Sequence, residues 1–114
     1  MSATITPPPE SERLRIAGMA HATALGIRGV RRTDPGSAGE FATVENSGRV
    51  AGVMCAAAAG GGYDASLRLV CELVPLHELC EQVRTAVKER ASSAGLNLRR
   101  VDVHVTDVVP AVPL

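Results

Sequence analysis

The sequence predicts one α/β (α+β) domain, a two-layer sandwich in which a mixed sheet of four to five strands carries two helices on one face. Residues 64–73 alternate between apolar and polar side chains. A proline and an amphipathic stretch follow, and residues 101–106 alternate again, so the order is strand, helix, strand. Upstream, a second helical stretch precedes a hairpin pattern, and two helices with one apolar face each need a sheet to cover them. At 114 residues the chain is too short to divide into two cores, so residues 10–109 form one domain.

Residues 1–9 end in Pro7, Pro8 and Pro9, which lack N–H donors and favour a disordered N-terminal arm. Leu14, Ala17, Ala20 and Ala24 recur at helical spacing, with His21 at the rim. Ser11 is placed to cap the start and Gly26 to stop the end, giving a helix over 11–25. Residues 27–33 suit a short strand before the turn-forming Asp34, Pro35 and Gly36. Two apolar-rich runs, 41–45 and 49–57, flank Asn46, Ser47 and Gly48 and read as a hairpin. The glycines at 60–62 form a connection, since no Lys-Ser or Lys-Thr follows to complete a phosphate loop.

In residues 64–73, Ala65, Leu67, Leu69, Cys71 and Leu73 share one face, while Ser66, Arg68, Val70 and Glu72 share the other. Pro75 suits a first helical turn. Leu76, Leu79, Cys80, Val83, Val87 and Ala91 then mark the apolar side of a helix that Gly95 ends. Val101, Val103 and Val105 alternate with Asp102, His104 and Thr106 in the last strand, which a helical crossover permits to run parallel to the strand at 64–73. Residues 110–114, with Pro110 and Pro113, form a fraying tail.

Composition narrows the function classes. Phe41 and Tyr63 are the only aromatics and the formal net charge is zero, which argues against stacking platforms and phosphate-seeking fields, so no nucleic-acid partner is expected. No signal peptide opens the chain and no apolar run approaches the roughly 20 residues that span a bilayer, so a cytoplasmic protein without direct membrane insertion is expected. Three widely spaced cysteines fit reduced thiols.

No nucleophile motif or paired-cysteine metal signature is present, so no catalytic, cofactor-binding or metal residue and no cofactor is assigned. The nearest cluster is Cys71, His77 and Cys80, the basis of an alternative in which the chain is a thiol-dependent redox enzyme or a small metal-binding protein. Against it, Cys71 and Cys80 fall on apolar faces, where free cysteines pack as small hydrophobes. A protein partner is favoured instead, on the sheet face that the helices leave open, lined by Arg68, Val70, His104 and Thr106, or along a sheet edge. Pairing of two copies through an edge strand would give a homo-oligomer.

The stretches 66–74, 75–87 and 101–108 together resemble the bacterial alkaline-shock, or Gls-type, envelope stress response family. The shared pattern is a valine-rich strand, a helix containing Gln82-Val83 and Val87, and a closing strand with valines at 101, 103 and 105. A fainter likeness lies in Ile16, Ala17, Ala20, Ala24 and Gly29-Val30. The chain departs from the family where prolines 7–9 stand in place of an opening strand. The resemblance implies a nonenzymatic cytoplasmic protein linked to envelope or alkaline stress, which self-associates or is held near the membrane by a membrane-anchored protein partner.

Overall fold

The structure, a computed structural model, describes residues 11–111. The arm expected over 1–9 and the end of the tail lie outside the described residues. Helix α1 (Glu12–Leu25) is followed by strands β1 (Val30–Thr33), β2 (Ala42–Glu45), β3 (Gly48–Ala51), β4 (Val53–Ala57) and β5 (Tyr63–Glu72), helix α2 (Leu76–Ser93) and strand β6 (Leu98–Val109). This is the mixed α/β sandwich that the sequence predicts. A four-stranded sheet is built on β5, and β2 and β3 form a separate antiparallel hairpin.

Strand β5 organises the sheet. One of its edges carries β6 in parallel, from Tyr63 opposite Leu98 to Glu72 opposite Val109. Its other edge is divided, with β4 pairing antiparallel to residues 63–67 and β1 to residues 69–71. The changeover falls at Arg68, whose N–H donates to the Gly52 carbonyl (3.0 Å) and whose carbonyl accepts from the Asp34 N–H (2.8 Å). The run expected as one strand over 49–57 therefore breaks at Gly52 into β3 and β4, which belong to different sheets. Gly52 has φ +79°, and a Cβ there would lie 2.4 Å from Thr33 Cβ, so both conformation and space demand glycine.

Both helices cover one face. Leu67, Leu69, Ala65 and Cys71 of β5 meet Ile16, Ala17, Ala20 and Ala24 of α1 and Leu79, Val83, Val87 and Ala91 of α2 in one apolar cluster. Ser11 caps α1 as expected, its Oγ accepting from the Leu14 N–H (3.1 Å). Gly95, with φ +70°, ends α2, and the Leu96 N–H returns to the Ala91 carbonyl. Pro75 stands at the N-cap itself, one residue before the expected first turn. Leu73, expected on the core face, lies past the end of β5 and is exposed.

Two side chains tie the hairpin to this body. The buried Thr43 hydroxyl donates to the Val53 carbonyl (2.7 Å) and accepts from the Cys55 N–H (3.0 Å), so it satisfies the outer edge of β4 in place of a neighbouring strand. Glu45 takes a hydrogen bond from the Ser11 hydroxyl (2.5 Å) and an ion pair from Arg13 Nε (2.8 Å), and Arg13 also reaches the carbonyls of Val44 and Cys55.

Replacing Gly52 with Ala should destabilise the fold by about 1–3 kcal/mol or more, because a strained conformation adds to a steric overlap; chemical denaturation measures this, and an unchanged midpoint would refute the requirement. The hydrogen bond from Ser11, followed by that from Arg13, holds the Glu45 carboxyl below its ordinary value of 4.5. A lowered carboxyl contributes stability that is complete above its unfolded value and lost as pH falls through its folded one. Glu45→Gln should therefore show a shallower fall in Tm than the native chain as pH drops below about 4.5.

Candidate functional site

The sheet face opposite the helices is occupied more fully than alternation suggests. Arg68 projects there and stacks on the Phe41 ring, with its guanidinium carbon 4.3 Å from the ring centre. Phe41 closes the loop after β1, its N–H donating to the Pro35 carbonyl and its own carbonyl accepting from the Gly52 N–H. At the other end of this loop, Asp34 Oδ1 accepts from the Gly36 N–H (2.9 Å) and Oδ2 accepts from the Thr106 hydroxyl (2.6 Å). Asp34 follows β1 and Thr106 belongs to β6, so this hydrogen bond bridges over β5 beside Val70.

The predicted contact residues consequently have different fates. Val70, expected to be open to a partner, is 1% exposed between its cross-strand neighbours Arg32 and Asp107. Arg68 is half-buried against Phe41, and Thr106, though exposed, is bound to Asp34. His104 is exposed on this face. Nothing in the residues around Asp34, Pro35 and Gly36 beyond turn chemistry shows that their loop returns across the sheet. The roles of Asp34 and Phe41 therefore have no local signal in the sequence.

The carboxyl of Asp34 lies below its ordinary range, held there first by Thr106 and then by the Gly36 N–H. On this face Asp34, Thr106 and Arg68 are committed to the loop, Asp64 Oδ1 of β5 is buried without a hydrogen-bond partner among the described residues, and the remaining exposed polar side chains include those on the β6 side.

There, β6 pairs with β5 alone, so among the described residues its other edge has no strand beside it. In a parallel ladder both backbone groups of a residue face the same neighbour, and the direction alternates along the strand. Arg84 Nε donates to the Val101 carbonyl (3.1 Å) from the α2 side, which places the outward-facing groups on Val101, Val103 and Val105. Register shifts at Arg99 and Thr106 bound the regular stretch, residues 100–105. Val101 is buried, whereas Val103 and Val105 are only partly covered by the core. Arg100 and Asp102 form an exposed ion pair (3.1 Å) beside His104. The sequence marks these valines as core residues; their outward backbone groups follow from pairing register.

The alternative cluster assembles only in part, with Cys80 near Cys71 and His77 on the surface. Cys71 is buried, Cys80 is half-buried and His77 is exposed, and no three His, Cys, Asp or Glu side chains among the described residues come together as a cation site. Burial pushes the Cys55 thiol up to about 11, and burial followed by the nearby Cys80 thiol does the same for Cys71. Cys80 is also raised, chiefly by burial. A recess at the junction of β1, β5 and α2 is lined by Arg28, Gly29, Glu72, Val74, Glu78 and Leu79 among others, so two carboxylates and one guanidinium border an apolar floor.

No protein-family model and no curated protein matches the chain. Solved structures do. A variant of MamM superposes with a TM-score of 0.60 at 14% identity, over 88% of this chain and 100% of that one. The cadmium form of a MamM CTD variant gives 0.57 at 16% identity, over 85% and 98%. The nickel form of another gives 0.55 at 14%, over 82% and 96%. At these identities the similarity establishes a shared fold.

The raised thiols lead to a labelling experiment. A shift from 9.0 to about 11 lowers the thiolate fraction of Cys55 and Cys71 about a hundredfold at neutral pH. Maleimide should react slowly with both in the native chain and rapidly after unfolding; rapid native labelling of Cys71 would restore the thiol alternative.

Proposed function

We infer that the chain is a nonenzymatic interaction module that receives a protein partner along the open edge of β6. The observation carrying this is the set of outward-facing backbone groups on Val101, Val103 and Val105, in a regular stretch with no strand beyond it among the described residues. Added strands use such groups for affinity and the alternating side chains for specificity. Long edges are usually blunted by charge or bulges. Here the bulges lie at the ends of the regular stretch and the charged residues Arg100 and Asp102 face away from the core, leaving the backbone between them accessible.

The cellular setting rests on different support. The pattern in 66–87 and 101–108 supports an assignment to envelope or alkaline stress, with the module in the cytoplasm and held near the membrane by an anchored protein. No helix among the described residues is long and apolar enough to cross a membrane, so such a location would depend on a partner or on another part of the protein. The similar MamM structures supply the fold and bear on neither point. Their cadmium and nickel forms describe those proteins, and no three His, Cys, Asp or Glu side chains cluster among the described residues of this chain.

The decisive variant is Val103→Pro, which removes an outward N–H while leaving the ladder to β5 intact. Tagged full chain should retain a partner from soluble or detergent-solubilised membrane extract, Val103→Pro should lose it, and Val44→Asp on the exposed side of the hairpin should keep it. A partner found in the membrane fraction would support the stress-response setting. Equal capture by the native chain and Val103→Pro would overturn strand addition.

A further inference from the structure

We propose that the β6 edge recognises a second copy of this chain, in an antiparallel pairing whose two-fold axis passes through Val103. This rests on the edge assignment above and adds the identity and register of the partner strand.

The geometry permits few registers. For two copies of β6 to exchange backbone hydrogen bonds, an outward-facing residue must oppose another, so Val101, Val103 and Val105 can meet only one another. Centring the axis on Val103 places Val101 opposite Val105, Val103 opposite itself and Val105 opposite Val101. All the outward groups in the stretch are then used. Moving the axis by one residue in either direction leaves a valine unpaired, and moving it further shortens the overlap again. The carbonyl of Val101 has two acceptor positions, so the Arg84 hydrogen bond can persist beside a new bond from Val105 of the other copy.

Hydrogen-bonding chemistry selects the same register. With the axis at Val103, Asp102 lies directly opposite His104 of the second copy, and by symmetry the contact occurs twice. With the axis at Asp102, that residue would oppose itself and Arg100 would oppose His104. With the axis at His104, two histidines would meet. Only the Val103 register both pairs every outward valine and sets a carboxylate against an imidazole.

Burial agrees with this choice. Val103 and Val105 face the helix side of the sheet but are incompletely covered, and the opposed valines of a second β6 would extend that apolar layer. The bulge at Thr106 turns the strand at the end of this stretch, which keeps the contact short and defined.

Sedimentation velocity of the full chain over a concentration series, with circular dichroism to verify folding, tests the proposal through an exchange of the two side chains. The native chain should show a monomer–dimer equilibrium, and Val103→Pro should be monomeric. His104→Asp places carboxylates opposite each other at both symmetric contacts and should weaken dimerisation by about tenfold or more. Asp102→His combined with His104→Asp restores opposite partners in this register alone and should recover association relative to His104→Asp.

A native chain that stays monomeric at several hundred micromolar (on the order of a weak homodimer) overturns self-recognition. A dimer that survives Val103→Pro, or that the double exchange fails to rescue, overturns the proposed pairing. The broader edge assignment is judged separately, by whether Val103→Pro loses an unrelated captured protein.

Discussion

The backbone of Arg68 is the point on which the sheet turns. Its N–H is committed to Gly52 at the start of β4, and its carbonyl to Asp34 just after β1. One edge of β5 thereby serves two strands in succession. Two chain segments have to meet at that residue, and there is room only because Gly52 lacks a side chain against Thr33. Buried backbone groups must be paired, so a shift at this junction would expose donors and acceptors from three strands at once.

The occupied face of the sheet follows from this junction. The chain leaves β1 at Asp34 and returns at Phe41, with Thr106 bonded at one end of the loop and Arg68 stacked at the other. Polar residues that alternation assigns to solvent are therefore committed internally, and Val70 is buried among them. On the flank, Thr43 satisfies the outer side of β4 with a hydroxyl, and the Ser11, Arg13 and Glu45 contacts hold its hairpin against α1. With one edge of β5 divided between β1 and β4 and the far side of β4 closed in this way, β6 presents the longest strand edge without a neighbouring strand among the described residues. The small side chains of α1 and of Cys55 and Cys71 serve this construction too: they let helix and sheet approach closely, and the burial that results raises both thiols.

Much of the architecture can be read directly from local patterns. Ser11 and Gly26 delimit α1, Asn46, Ser47 and Gly48 lie at the turn between β2 and β3, and the valines at 101, 103 and 105 identify β6, because caps, turns and side-chain alternation act over a few residues. The strand-helix-strand order around α2 was equally visible. The limits of local pattern appear at Gly52, where a continuous apolar run conceals a change of sheet, and at Val70, where alternation gives the face but not its covering.

The sequence established an α/β sandwich, its helices, most of its strands and the apolar side of each, since those properties depend on neighbours one to four residues apart. Folding in three dimensions determined that Asp34 would meet Thr106, that Phe41 would cover Arg68, that His77 would lie exposed while Cys71 is buried, and that Val101, Val103 and Val105 would turn their backbone groups outward. These depend on strand register and on contacts between distant segments. A single-residue slip there reverses which groups face a partner while leaving the local pattern of hydrophobic residues unchanged.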